Sequence, residues 1–297
     1  MPVTATAWIC RTCANQYAPT PDVPARCVIC CDDRQYVPES GQAWTSLAEL
    51  AAEGHRTAWR EVEPGLHELT VTPSLGIGHR GLLVTTPQGG VLWDPPGYLD
   101  DDAVAFVRDT GGLLGIARSH PHLCGVLVEW SSRFCGGGHG AEGRGAPMWL
   151  PRRDAAWVLR PDDAVRWWDD EVELAPGVTL LRCGGHFAGS AVLHVAAAAE
   201  GRGALLVGDT VMVLPGRRRV SFMRSYPMLL PLPERHLDRL LARLDGVAFD
   251  RLHGAWTGAD VDRDAQSVLV RSAELYRSWL TGTAQDPDQD GRGRAPL

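Results

Sequence analysis

The chain has 297 residues and a net charge of −7, and all 29 of its Lys/Arg positions are arginine. With 44% hydrophobic and 22% charged residues it has the composition of a folded protein with a sizeable core rather than a disordered chain. The missing lysine excludes P-loop, Schiff-base and Ser-x-x-Lys chemistry, each of which needs an amine, and the acidic balance gives no global attraction to nucleic acid or an anionic membrane.

The N-terminal MPVTATAWICRTC has neither the basic nor the apolar region of a signal peptide. No stretch approaches the ~18 apolar residues of a membrane span. A cytoplasmic location is therefore expected, where cysteines bind metal or stay reduced. Cys10-x-x-Cys13 and Cys27-x-x-Cys30 each aim two sulfurs at one point, the spacing of a tetrahedral four-thiolate site. Residues 1–38 are too short and polar to build a core, so a metal takes the place of one. The segment resembles a zinc ribbon or rubredoxin-like module; zinc would staple it, iron would make it an electron carrier, and Cys31 reads as a spare thiol. Residues 39–65 read as a linker with a short helix capped by Ser46, with Glu49 three residues on.

From residue 66 the pattern changes to short β-rich runs split by Gly and Pro: GLHELTVTP, HRGLLVTTP and GGVLWDPP. DDDAVAFVRDTGG reads as a helix, GLLGIARSHPH as a buried strand, and EWSSRFCGGGHGAEGRGAP as a helix followed by a Gly-rich loop containing His139. DAAWVLRP and PDDAVRWW read as short helical pieces, with Trp167 and Trp168 in the core. GVTLLRCGGH, SAVLHVAAAA, GALLVGDT and FDRLHGAW read as strands. PERHLDRLLARLDG and DRDAQSVLVRSAELYRSWL carry apolar residues at helical spacing. The polar tail 283–297 is expected to be disordered.

Metal-ligand side chains fall just past these β-runs. In Ser119-His120-Pro121-His122 the two imidazoles lie two residues apart, on one side of an extended chain. His186 follows TLLRC through two glycines, Asp209 ends ALLVG, and His253 ends FDRL. Loops at strand ends are where a rigid sheet holds chemistry.

On GLLVTTPQGGVLWDPPG, SHPH, GGHFAGS, LLVGD and LHG, in that order, the chain resembles the metallo-β-lactamase fold superfamily over roughly residues 66–282. The resemblance implies an α+β four-layer αββα sandwich with a metal site at one edge of the sheets. It implies His120, His122 and His186 as one metal site, Asp209 as bridging carboxylate, His253 as a second-site ligand and Asp94 as an orienting residue. The family's H-x-H-x-D-H departs here at its last two positions, which are Cys124 and Gly125; Cys124 reads either as a substitute thiolate ligand or as a small buried thiol, and Cys183 as core. The function expected is a metal-dependent hydrolase acting on an ester, thioester, amide or phosphoester of a small molecule, with Asp209 and His253 as catalytic groups. Zinc is expected in the four-cysteine knuckle and, one or two ions, in the His/Asp site. Two alternatives remain open: a mononuclear-iron oxidoreductase fed by an iron knuckle, and a non-catalytic binding module. The basic run Gly216-Arg217-Arg218-Arg219, with Arg224 and Tyr226 beyond it, reads as an anion-binding loop beside the site or as a solvated turn. Neither a Gly-x-Ser-x-Gly elbow nor a dinucleotide fingerprint occurs.

Overall fold

The computed structural model describes residues 5–135 and 145–286; the loop around His139 and most of the polar tail lie outside them. Two large sheets dominate. The first has seven strands in chain order: β3 (Arg56–Glu63), β4 (Leu66–Thr72), β5 (Gly81–Thr86), β6 (Gly89–Trp93), β7 (Leu113–Ala117), β8 (Met148–Pro151) and β9 (Val165–Trp168). Its first four strands form antiparallel hairpins, and β6 through β9 run parallel. The second has six strands in the order β10 (Glu171–Ala175), β11 (Val178–Arg182), β12 (Ala191–Val195), β13 (Ala204–Leu206), β18 (Arg251–His253) and β19 (Asp260–Val261). Its single parallel pair is β13 with β18. Between β13 and β18 lie two small hairpins, β14 (Met212–Val213) with β15 (Val220–Ser221) and β16 (Met223–Ser225) with β17 (Leu230–Pro231).

Strand alternation sorts the side chains into layers. Leu82 and Val84 of β5 point between the sheets and meet Leu180, Leu193 and Leu206 of the second sheet. Leu83 points the other way and joins Leu92 and Ile116 against the helices α2 (Asp101–Asp109) and α3 (Leu127–Ser132). On the far face of the second sheet, Val192, Leu205 and Leu252 pack against α5 (Glu234–Leu244) and α6 (Ala265–Leu280). The order is helix, sheet, sheet, helix, the four-layer sandwich that the sequence implied. α2 starts on Asp100, whose carboxylate accepts from Ala103 N. The short α4 (Ala198–Gly201) is a tight turn with positive φ at Ala199 and Glu200. No helix among the described residues is long and apolar enough to cross a membrane.

Two segments differ from the sequence reading. PDDAVRWW forms strand β9, not a helix: Trp167 pairs with Leu150 and Trp168 with Pro151, and aromatic, β-branched side chains suit a pleated edge. Trp168 is buried between the sheets, whereas Trp167 is partly exposed. Residues 39–65 do more than link. β1 (Ile9–Cys10) pairs with β2 (Trp44–Thr45), and α1 (Leu47–Ala52), capped by Ser46 accepting from Glu49 N, buries Leu50 in the first core. β3 is the edge strand of the seven-stranded sheet.

Candidate metal centre

The N-terminal cysteines converge. Cys10, Cys13, Cys27 and Cys30 are all buried, with Sγ atoms 3.6 Å apart for Cys10 and Cys30 and 3.7 Å apart for Cys13 and Cys27. These distances are far too long for disulfides and suit four thiolates around one ion. Cys31 is exposed and outside the group. The module is not free-standing. Asn15 is fully buried; its Nδ2 donates to Pro121 O at 3.0 Å and its Oδ1 accepts from Cys124 N and Gly125 N, both at 3.1 Å. One side chain of the cysteine module thus holds the turn that carries His120 and His122.

That turn follows β7. His186 follows β11 and Asp209 follows β13, so parallel and antiparallel strands of both sheets deliver their ends to one edge. His120, His122, His186 and Asp209 offer ligand atoms that all lie within 4.8 Å of one another, and all four are buried. His120 Nε2 lies 3.3 Å and His186 Nε2 3.8 Å from Asp209 Oδ2, and His186 Nε2 lies 3.4 Å from His122 Nδ1.

The surroundings fix the rings. His186 Nδ1 is 3.3 Å from the carbonyl of Met223, which can only accept; Nδ1 therefore carries the proton and Nε2 turns its lone pair inward. Asp94 Oδ1 accepts from Ser119 N at 2.6 Å, the Ser119 side chain also bonds Asp94, and Ser119 Oγ lies 2.8 Å from His120 Nδ1. Burial pushes Asp94 up to about 8. Close approach of these loops requires Gly208, whose φ is +52° and whose missing Cβ would sit 2.2 Å from Ser119 Oγ. Burial holds His122 well below the ordinary histidine range and lowers His186 to about 3, so both rings are neutral at pH 7. Burial alone would raise Asp209, but the close approach and charge attraction of His120 hold it below the usual carboxylate value.

His120 Nε2, His122 Nε2 and Asp209 Oδ1 are buried and have no hydrogen-bond partner among the described residues. Such orphaned atoms are costly unless something satisfies them, and three imidazoles with one carboxylate form a donor set that a divalent transition metal satisfies. The residues fit a metal ion.

The structure does not bring His253 to this group. Its Nδ1 is 3.0 Å from Asp260 Oδ1 and its Nε2 is 3.0 Å from Glu63 Oε1, so neither nitrogen is left for a metal. Burial works against its charge, but the two carboxylates outweigh that and raise its pKa above the ordinary value. Arg251 bonds Glu63 in turn, and the fully buried Arg80 bonds both Asp260 and, at 2.7 Å, Glu68. The expected second-site ligand, and with it the catalytic role given to His253, is corrected to a member of a buried ion-pair network. Its partners Glu63 and Asp260 carried no sequence signal.

Cys124 also stands apart. Its sulfur meets the guanidinium of Arg118 and lies 3.4 Å from Pro121 O. Arg118 is fully buried and keeps Nε and Nη2 unpaired. A second cation beside Cys124 would face this fixed positive charge. Gly125 has φ +52°, and a Cβ there would sit 2.1 Å from Pro95 O. Cys183 is buried in the second core. None of residues 216–219 belongs to the His/Asp group, and Arg217 pairs with Asp262 at 3.7 Å. Tyr226, singled out beside that loop, does reach the site; its hydroxyl donates to Asp209 O at 3.1 Å. Two further groups were missed. His79 is buried with Nδ1 unpaired, and burial lowers it to about 4. Arg34, from the cysteine module, lies 3.5 Å over the Phe187 ring and donates to His186 O at 3.2 Å.

No family model matches the chain. It is 37% identical over 271 residues to YmaE, an uncharacterized protein of Bacillus subtilis (strain 168), a match covering 91% of this chain and 95% of the relative. Among solved structures it is similar to TMB-1, with a TM-score of 0.54 and 13% identity, over 75% of this chain and 98% of that one. The metallo-β-lactamase DIM-1 gives a TM-score of 0.52 and 16% identity over the same shares.

Proposed function

Since the chain belongs to the family of YmaE and is built on the metallo-β-lactamase fold, we propose that it is a metal-dependent hydrolase of an ester, thioester, amide or phosphoester in a small molecule. The observation that carries this reading is the buried group His120, His122, His186 and Asp209 with its three unpaired atoms. These four residues would hold the ion, zinc being favoured by the imidazole-rich set. Such an ion supplies a nucleophile at neutral pH and polarises the oxygen that gains charge.

The chain's own groups do the rest. Asp209 stays ionised, and its unpaired Oδ1 accepts the proton of an incoming water. Tyr226 anchors the Asp209 backbone; burial pushes its pKa well above the ordinary value, so it remains a donor. Asp94 and Ser119 lock His120, and the Met223 carbonyl locks His186. Arg118 sets a positive charge beside Cys124, which disfavours a second ion there and supports a reading with one catalytic ion.

Elemental analysis tests the reading together with a panel of chromogenic esters, thioesters and phosphodiesters. Wild type should hold about two metal equivalents, and Cys10→Ser/Cys13→Ser and His120→Ala/His122→Ala should each lose one. Hydrolysis should vanish only with the second pair. Turnover that survives His120→Ala/His122→Ala overturns the proposal. A red protein with iron–thiolate absorbance supports the oxidoreductase alternative, and a wild type holding metal only at the cysteines supports the binding-module one.

A further inference from the structure

A wide cavity of about 790 Å³ opens directly over His186 and Phe187. Among the described residues six arginines line it, Arg34, Arg153, Arg182, Arg224, Arg235 and Arg239, and no carboxylate does. In a chain of net charge −7, such segregation needs a cause. Three of the six are tied to acids behind the wall: Arg34 to Asp32, Arg182 to Asp170 and Arg224 to Asp33. Even so, Arg224 Nη1 is left buried without a partner. No carboxylate of the described residues pairs with Arg153, Arg235 or Arg239. They come from two places, the turn after β8 and the first two turns of α5.

The start of α5 adds a second, independent feature. The helix is eleven residues long and begins at Pro233 with no side-chain cap. Pro233, Arg235, His236 and Arg239 all face the cavity. Unpaired N–H groups and the positive end of a helix dipole favour an anion there. Glu234, the acidic residue of that turn, is drawn off to Arg277 at 3.4 Å.

We propose that this cavity is the substrate-binding site and that it takes a small molecule carrying a phosphate or diphosphate group. The arginines and the α5 N-terminus hold the anion, and the bond to be cleaved lies over His186. The inference rests on the hydrolase reading for the last step only. Three unpaired guanidiniums match a multiply charged, fork-recognised phosphate better than a single carboxylate. The volume suits a ligand of drug or nucleotide size. A long polyanion would meet the acidic remainder of the surface.

Inorganic pyrophosphate is the probe, titrated calorimetrically into the purified metal-loaded protein. Three variants are compared with wild type: Arg235→Glu/Arg239→Glu; the remote control Arg218→Glu/Arg271→Glu, equal in charge change; and His120→Ala/His122→Ala, which dismantles the metal cluster. The groove variant should bind at least tenfold more weakly, and the remote control and the metal-site variant should bind within threefold of wild type. The ratio of kcat/KM for an anionic phosphodiester over that for a neutral ester should also fall at least tenfold in the groove variant. Equal weakening in the remote control, or binding lost only with His120 and His122, overturns the proposal. So does a single-stranded oligonucleotide that binds the groove far more tightly than pyrophosphate. Arginine-dependent binding without ester turnover upholds the site and removes the hydrolase reading. Ester turnover without arginine-dependent binding does the reverse.

Discussion

His253 gives the sharpest test, because a metal ligand and an ion-pair partner respond to removal in opposite ways. In His253→Ala, two charge-assisted hydrogen bonds of 3.0 Å disappear. At ~1.5–3 kcal/mol each they bracket ~3–6 kcal/mol. Glu63 keeps Arg251 and Asp260 keeps Arg80, so neither carboxylate is stranded, and the expected loss sits at the low end, about 3 kcal/mol. For a chain of this size that is a fall in Tm of roughly 6 °C. The pH dependence has a definite sign. The folded pKa of His253 is raised, so its contribution is complete below the unfolded value of about 6.5 and is lost as pH rises through the folded value. Glu63 and Asp260 are lowered by His253 despite burial, so theirs is present above an unfolded value of about 4 and is lost in acid. The gap between wild type and variant is therefore widest near pH ~5.5–6.5 and narrows in alkali. Denaturant titrations followed by tryptophan fluorescence across pH 5–9 measure it, with elemental analysis alongside. Metal content should not change. A variant that loses metal at unchanged stability would refute the ion-pair assignment.

Two further predictions concern the cysteine module. Asn15→Ala removes three hydrogen bonds to the turn bearing His120 and His122; metal affinity of the histidine cluster, measured by competition with a chromogenic chelator, should fall ~10–100-fold, and an unchanged affinity would sever the link. Cys13→Ser breaks the four-thiolate group and should lower Tm and expose Trp44, which packs against the buried cysteines. A calorimetric scan that matches wild type would show that no ion was holding the module.

The metal cluster was legible because each of its residues follows a β-run, and strand ends at one edge of two facing sheets are neighbours whatever their distance in sequence. The cysteine pairs were legible for the opposite reason, since their geometry is local. His253 shared the strand-end pattern of the four clustered residues; what separates it is Glu63, 190 residues away, on a strand assigned to a linker. The arginine cavity was hidden in the same way. Of the basic run 216–219 and the Arg224 beyond it, only Arg224 lines the cavity, and its other arginines are scattered in sequence from 34 to 239. β9 was misread because Asp and Ala around residues 162–164 suit a helix start, while pairing with β8 decides the conformation of Val165–Trp168.

The Cys124–Gly125 pair also bears on how this centre can change over generations. A histidine at 125 would need a left-handed backbone and would drive its Cβ into the Pro95 carbonyl. An aspartate at 124 would be neutralised by Arg118 before it met any ion. Neither replacement alone rebuilds the missing half of H-x-H-x-D-H, and each adds strain or a mispaired charge. At least three positions must change together with a reshaped turn. A chain that acquired the full motif would have to pass through less stable intermediates, so this turn resists stepwise change toward H-x-H-x-D-H.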